Sequence, residues 1–325
     1  MPAPRNVMVT GASAPIGERM VRTLLEDSRV DQVLAITGEP VEHFPVAPQD
    51  RLTVLQVDLA RSRRVHGLVF GPARDLGINA VVHLAQHRSA TEEGRKVRAF
   101  NVESLRSILE LAERHPTIER LVLRSDAAVY KVRNDLPALM GEDHPLNLDG
   151  RAPQWIRDRV EADITACGRM GLSRLSIVVL RMAEALAPGA GSQLYDYLSS
   201  PICLRPAGFD PMVNVLTLAD TVAALQKALH SEAQGVFNIP GADTLPLSTC
   251  IRSYGRINVP LPGPALSPLY RWRARLRGHD FRYGMNARRF HFSVILDGTR
   301  AQEVLGFVPC HPVSWPVELA EGDGA

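Results

Sequence analysis

The stretch Thr10-Gly11-Ala12-Ser13-Ala14-Pro15-Ile16-Gly17 decides the fold of this chain. It follows an apolar run with the composition of a β-strand, and an amphipathic helical pattern over residues 17–26 follows it. A glycine at the start of such a turn permits a tight bend, and one at its end lets the helix pack close to the strand. The stretch predicts a strand-turn-helix unit whose helix N-terminus can hold a phosphate group.

We expect the binding residues of this turn to be Gly11, Ser13, Ala14, Pro15, Ile16 and Gly17. The middle glycine of the usual pattern is replaced by Ala14, and its methyl group would crowd a pyrophosphate. The alternative is a strand-helix turn with no ligand. The surrounding strand and helix patterns favour the binding turn.

Apolar strand-like runs alternate with helical patterns through the first half of the chain, at residues 6–10, 32–37, 52–56, 80–84, 120–124 and 176–180. This alternation predicts an α/β fold, a Rossmann-type doubly wound parallel sheet. After Pro188 prolines and glycines become frequent, but a helical pattern returns over residues 218–230. We therefore expect a dinucleotide-binding domain over residues 1–187, to which 212–240 return, and a smaller interwoven substrate or partner region over 188–325.

Composition and charge argue against several classes of partner and site. The net charge is +2, so no nucleic-acid partner is expected. The four cysteines are isolated, and no metal site is expected. The N-terminus lacks the pattern of an export signal and no membrane-spanning stretch is present, so a cytoplasmic protein is predicted. Only three of the 37 basic residues are lysines.

Short motifs follow the later strands in a fixed order: Val57-Asp58-Leu59, Val82-His83-Leu84-Ala85, Phe100-Asn101-Val102, Ser125-Asp126-Ala127-Ala128-Val129-Tyr130, Asn214-Val215-Leu216-Thr217-Leu218-Ala219-Asp220 and Gly235-Val236-Phe237-Asn238-Ile239. Together they resemble the extended short-chain dehydrogenase/reductase family of the NAD-dependent epimerase/dehydratase type, over residues 5–310. The resemblance implies an NAD or NADP cofactor, a small-molecule or nucleotide ligand and a homodimer formed through the helices after strands four and five. It also implies cofactor contacts at Asp58, Leu59, Leu84, Ala85 and Asn101.

The choice of cofactor rests on the end of the second strand. Members that prefer NAD place an acidic residue there, but this chain has Thr37, and Glu39 comes two residues later. No basic residue is close enough in sequence to suggest a 2′-phosphate. We expect NAD rather than NADP, with a degenerate or empty site as the alternative.

The catalytic positions of the family are all changed. Family members use a Tyr as acid or base, a Lys four residues later and a Ser that orients the substrate oxygen. Here Asp126 stands for the Ser, Trp155 for the Tyr and Arg159 for the Lys. An indole does not titrate and an arginine stays charged, so neither transfers a proton. No tyrosine lies between Tyr130 and Tyr195 to replace the missing one.

We predict that Asp126 and Arg159 pair across the former catalytic pocket and that Trp155 fills it; the alternative is two independent solvated charges. Other chemistry could use His83, His87 or Tyr130. The structural alternatives for these three are a strand-end histidine, a loop histidine and a packed tyrosine.

Residues 269–291 form a basic segment with interleaved aromatic residues, from Arg271 to Arg289. It could hold an anionic ligand or a membrane surface, or be a solvated face.

The leading hypothesis is a nucleotide-binding sensor, scaffold or partner subunit that has lost conventional alcohol/carbonyl redox. The alternative is an atypical epimerase-like, reductase-like or non-redox enzyme acting on a nucleotide-sugar-like or lipid-like substrate.

Overall fold

The structure is a computed structural model that describes residues 5–277 and 281–315. The described strands are β1 (Arg5–Thr10), β2 (Val30–Thr37), β3 (Leu52–Gln56), β4 (Ala80–His83), β5 (Arg120–Asp126), β6 (Leu139–Met140), β7 (Ser176–Met182), β8 (Glu184–Ala185), β9 (Ile202–Pro206), β10 (Met212–Leu216), β11 (Gly235–Ile239), β12 (Asp243–Pro246), β13 (Ile257–Leu261) and β14 (Ile295–Leu296).

The described helices are α1 (Pro15–Glu26), α2 (Ser62–Phe70), α3 (Pro72–Asp75), α4 (Arg95–Arg98), α5 (Ser104–Ala112), α6 (Gln154–Cys167), α7 (Gln193–Leu198), α8 (Leu218–His230), α9 (Leu247–Ser253), α10 (Gly263–Arg277), α11 (Tyr283–Asn286) and α12 (Thr299–Leu305). A π-helical turn, Ala99–Glu103, joins α4 to α5. The first turn of the helix predicted after the fourth strand is therefore wider than an α-helix.

Seven parallel strands form the large sheet in the order β11-β7-β5-β4-β1-β2-β3. The predicted α/β, Rossmann-type fold class is confirmed. The chain runs outward from β1 to β3 on one side and from β4 to β11 on the other. Between β1 and β4 the strand order reverses, and ligands of such sheets bind beyond the carboxyl ends of the strands at this point.

The two faces of the sheet explain its apolar strands. On β1, Val7 and Val9 pack with α1 and α8, whereas Met8 packs on the opposite face with α2 and α5. Because both faces are covered, the strand sequence is continuously apolar rather than alternating. This burial fixes the strand ends that carry the site.

The smaller region contains a three-stranded sheet, β12-β10-β8, and a parallel pair, β13-β9. Strand β10 lies in this small sheet, whereas β11 pairs with β7 in the large one. Most aromatic residues of the basic segment are buried here around Tyr197: Tyr270, Phe281, Tyr283 and Phe290. Among these interleaved aromatics Trp272 is largely exposed.

Within the described residues no helix is both long and apolar enough to span a membrane. Cys167, Cys203, Cys250 and Cys310 are free thiols. Burial raises the pKa of Cys167, Cys203 and Cys250 to about 12.

Candidate nucleotide site

The turn between β1 and α1 has the backbone geometry of a phosphate-binding turn. Gly11 has φ +67°, a conformation that a residue with a Cβ rarely adopts. A Cβ on Gly11 would lie 2.9 Å from the Cα of Ala85, and one on Gly17 would lie 2.2 Å from the carbonyl oxygen of Gly11. The two glycines therefore bring the start of α1 against the ends of β1 and β4.

Ala14 and Pro15 reduce what this turn offers to a phosphate. Ala14 is the N-cap residue of α1, and Pro15 is the first residue of the helix. Proline has no backbone N–H, so one of the free donors of the helix N-terminus is missing. The donors that remain at this end belong to Ile16 and Gly17.

A cleft of about 560 Å³ opens above this turn, at the point where the strand order reverses. Several predicted binding residues line it: Gly11, Ser13, Ala14, Leu84 and Ala85. His87, Tyr195 and Asp196 also line the cleft. Ile16 and Gly17 line a narrow slot that continues the cleft inward.

The other residues predicted to contact the cofactor lie elsewhere. Thr37 is buried, and its hydroxyl oxygen accepts from the N–H of Glu39 at 2.9 Å. Asp58 pairs with Arg61 at 3.0 Å, and Leu59 belongs to the core. Asn101 accepts from the N–H of His87 at 2.8 Å and so positions the loop after β4.

A basic residue from a different strand end lies near the end of β2. Arg88, in the loop after β4, lies 3.7 Å from the carboxylate of Glu39, and both residues line the cleft. The sequence hid this contact because the two residues come from different strand ends, which only the sheet brings together. Glu39 lines the cleft, whereas Thr37, the last residue of β2, does not.

The slot beside Gly17 has a volume of only about 20 Å³. Arg124, at the end of β5, donates to the carbonyl oxygen of Ala190 at 3.2 Å. The side chain of Gln86 donates to the carbonyl oxygen of Arg124 at 3.0 Å. The bond from Arg124 holds the loop of residues 187–191 over the start of α1, and the bond from Gln86 ties the loop after β4 to the end of β5. Sequence reasoning missed both side chains.

Asp126, Trp155 and Arg159 meet at the inner end of the slot. The guanidinium carbon of Arg159 lies 3.3 Å from the centroid of the Trp155 ring, and its Nε lies 3.6 Å from a carboxylate oxygen of Asp126. All three residues are at most 9% exposed. The predicted contact between Asp126 and Arg159 is present, and the two charges are buried rather than solvated.

Burial sets the electrostatics of this cluster. It lowers the pKa of Arg159 to about 10, and the carboxylate of Asp126 opposes that shift. The second carboxylate oxygen of Asp126 accepts from the N–H of Ala128 at 2.7 Å. A carboxylate and a guanidinium fixed in this way supply neither the proton donor nor the hydroxyl that the family reaction needs.

A second acid lies next to this cluster. Glu184 is bonded to Arg289 at 3.1 Å and to the hydroxyl of Ser192 at 2.8 Å. Burial and the neighbouring charge of Asp126 raise the pKa of Glu184. Arg289, taken from sequence as part of the basic segment, therefore points inward.

His83 is buried and does not face the cleft. Its Nδ1 lies 2.9 Å from the hydroxyl oxygen of Thr10, which also accepts from the N–H groups of Leu84 and Ala85. The hydroxyl proton of Thr10 is thus free to bond to Nδ1. This arrangement matches the strand-end alternative rather than a general base.

Acid conditions are expected to destabilise the fold through His83. Burial lowers its pKa from 6.5 to about 4, so the unfolded chain binds this proton more tightly. The contribution of neutral His83 to the free energy of unfolding is fully present above about pH 6.5 and is lost as the pH falls toward 4. We expect urea-denaturation experiments to show that the free energy of unfolding falls by about 3 kcal/mol over this pH range. The loss will be smaller in His83→Asn, and an unchanged pH dependence in that variant would contradict the assignment.

Tyr130 is locked in a buried polar network. Its hydroxyl donates to Asn238 at 2.6 Å and accepts from Arg181 at 3.1 Å. Arg181 also forms a two-bond ion pair with Asp163, at 2.6 and 3.0 Å. Burial raises the pKa of Tyr130. This network ties the turn after β5 to α6, β7 and β11, which is a structural role.

The basic segment borders a separate cavity of about 740 Å³. Arg271, Arg275 and Arg282 line it together with Glu93. Asp280, the single acidic residue of this segment in the sequence, lies outside the described residues. The cavity has three described cationic residues on its wall, but it does not include the slot residues.

The fold is that of the extended short-chain dehydrogenases/reductases. Residues 7–153 match the family model described as the NAD dependent epimerase/dehydratase family. An uncharacterised protein of Mycobacterium tuberculosis is 26% identical over 313 residues, which is 94% of this chain and 80% of that protein.

Two further comparisons cover nearly the whole chain. A 3-diazoavenalumate denitrifying reductase of a Streptomyces species is 26% identical over 320 residues, 95% of this chain and 97% of that protein. The solved structure of the Bordetella bronchiseptica enzyme WbmH in complex with NAD⁺ matches with a TM-score of 0.70 at 18% identity, covering 95% of this chain and 94% of that one. At this identity the structural match shows the fold.

The two ends of the site fit a nicotinamide dinucleotide unequally. The cleft has space for a nucleoside and its phosphates beside the glycine turn. The slot beyond it holds about one water molecule at most, because a water needs roughly 10–15 Å³ by this measure. The residues present therefore fit the nucleotide half of the cofactor and do not fit a nicotinamide ring in this conformation.

Proposed function

We propose that this protein binds a nucleotide in the cleft and carries out no conventional alcohol/carbonyl redox reaction, acting in the cytoplasm as a sensor, scaffold or partner subunit. The observation that carries the proposal is the stack of Arg159 on Trp155, with Asp126 beside it. It occupies the place where the family reaction needs a titrating hydroxyl.

Three features support nucleotide binding without this reaction. The glycine turn and the cleft keep the shape needed for a nucleotide. The slot is too narrow for a nicotinamide ring. His83 and Tyr130, the other titrating groups near these strand ends, are buried in bonds to neighbours.

The test combines binding with hydride transfer. We expect calorimetry on the full chain to detect nucleotide binding with at least one of NAD⁺, NADPH and ADP. Transfer of deuterium from labelled NADH or NADPH to a panel of ketones and aldehydes should stay at the level of buffer. Absence of nucleotide binding, or deuterium transfer abolished by Trp155→Ala, would each overturn the proposal.

The atypical enzyme is a second candidate, because one relative of nearly equal length is named a reductase. His87 supports it, since it lines the cleft with its Nε2 3.3 Å from Glu92. The deuterium assay separates the two candidates. Transfer that survives in Trp155→Phe but is lost in His87→Ala would favour the enzyme.

Cofactor choice, assembly and the basic segment remain parts of the proposal. Arg88 beside Glu39 offers a cation near a ribose, so NAD and NADP are to be compared directly in the calorimetry.

A homodimer through α5 and α6 is supported by the exposed side chain of Ile164 on α6. Sedimentation at several concentrations tests the dimer. Salt-dependent liposome binding tests a membrane surface at Arg271–Arg289.

A further inference from the structure

We infer that the slot is a subsite for an anionic group, and that the ligand of the cleft is a nucleoside diphosphate or similar nucleotide with an anionic distal end rather than a nicotinamide dinucleotide. This inference rests on the proposed nucleotide binding and specifies its ligand. It concerns the inner end of the site, where Arg124 and Arg159 take the place of a ring pocket.

The charges at this end do not balance. Arg124, Arg159 and Arg289 face the two acids Asp126 and Glu184, which leaves one positive charge in excess. Glu184 lies with Arg289 and Asp126 with Arg159. Among the described residues Arg124 has no carboxylate within 4 Å, and its partners are the neutral Ala190 carbonyl and Gln86. Arg124 is partly buried, and an anionic ligand would stabilise this partly desolvated cation, which has no carboxylate partner.

Hydrogen-bond donors without a partner also indicate an anion subsite in the slot. The Nε atom of Arg159 is buried without a hydrogen-bond partner among the described residues, since Asp126 is 3.6 Å away. The Nε atom of Arg124 is buried without a partner in the same way. Both side chains line the slot together with Ile16 and Gly17 at the N-terminus of the 12-residue helix α1. Two guanidinium groups and a helix N-terminus attract the same kind of ligand, an oxyanion.

The size of the slot decides which part of a ligand enters. A space of about 20 Å³ admits one water-sized atom, such as a terminal phosphate oxygen. A planar ring with its amide needs the loop of residues 187–191 to move and the bond from Arg124 to Ala190 to break. A diphosphate lying along the glycine turn keeps that bond and places its distal oxygens at the mouth of the slot.

The experiment is calorimetry on the full chain with ADP, adenosine and NAD⁺ as probes. We expect ADP to bind about tenfold or more tightly than NAD⁺, because charge-assisted hydrogen bonds to Arg124 and Arg159 are lost with the dinucleotide. In Arg124→Gln, the dissociation constant of ADP should rise about tenfold or more, while that of uncharged adenosine stays the same. Arg22→Gln removes an exposed arginine of α1 and is the matched control, with no change expected for either probe.

Arg124→Lys is a second variant for the case in which Arg124→Gln does not fold, because lysine keeps the positive charge and lacks only the planar guanidinium group. Its affinity for ADP should lie between those of the parent and Arg124→Gln. Binding of NAD⁺ as tight as that of ADP, or ADP affinity that is equal in the parent and Arg124→Gln, would refute the subsite and leave nucleotide binding intact. Failure of all three probes and of NADPH to bind would instead remove the proposed function itself.

Discussion

Replacing Gly17 by alanine is expected to raise the dissociation constant of a bound nucleotide about a hundredfold, equivalent to about 2.7 kcal/mol. The added methyl group would lie 2.2 Å from the carbonyl oxygen of Gly11 and 2.7 Å from the Cα of Ala12, so the backbone must move. Displacing the N-terminus of α1 breaks the hydrogen bonds that it gives to a phosphate. The same crowding should lower the free energy of unfolding by about 1–3 kcal/mol.

Gly67→Ala is the matched control for this prediction. Gly67 lies inside α2, and a Cβ there would meet no atom within 4 Å. We expect unchanged nucleotide binding and a free energy of unfolding up to about 1 kcal/mol higher, because alanine favours the helix. Calorimetry and urea denaturation measure both quantities. Equal effects of the two substitutions would show that α1 does not position the ligand.

Asp126→Ala is expected to lower the free energy of unfolding by about 3–5 kcal/mol, because it leaves Arg159 as a buried charge without its partner. It also removes the acceptor of the Ala128 N–H, which caps the short turn after β5. Urea denaturation at neutral pH measures the loss. The double variant Asp126→Ala/Arg159→Leu removes both charges and should recover most of the stability, since paired removal of buried charges costs little.

Asp149→Ala is the comparison for this effect. Asp149 forms an exposed pair with Arg151 at 3.3 Å, and exposed pairs contribute little to stability. We expect little change in the urea midpoint. A double Asp126/Arg159 variant less stable than Asp126→Ala would mean that the pair is not the source of the loss.

The sheet could be predicted from sequence because each strand carries its own signal. Buried strands are continuously apolar and can be recognised from that alone. The helix α8 (Leu218–His230) was predicted with its observed bounds, because Thr217 caps its start through its hydroxyl oxygen. The phosphate turn has a local signature for the same reason. These features depend on neighbours in sequence, so a single chain reveals them.

The inner end of the site could be predicted only in part. The contact between Asp126 and Arg159 followed from the known order of the motifs. The meeting of Arg88 with Glu39, and the bond from Arg124 to Ala190, depend on loops from different strands. Arginines are so frequent in this chain that no single one stands out. Which of them is buried, and against what, is decided by packing.

The buried stack of Asp126, Trp155 and Arg159 has an evolutionary consequence. Each residue is stabilised by the other two, through the ion pair and the ring contact. Replacing Asp126 by the family's serine would leave Arg159 as a buried charge without its carboxylate, and replacing Trp155 by the family's tyrosine would leave space beside Arg159. We therefore expect single replacements at these positions to be less stable than the combined replacement, so that the three residues act as one epistatic unit.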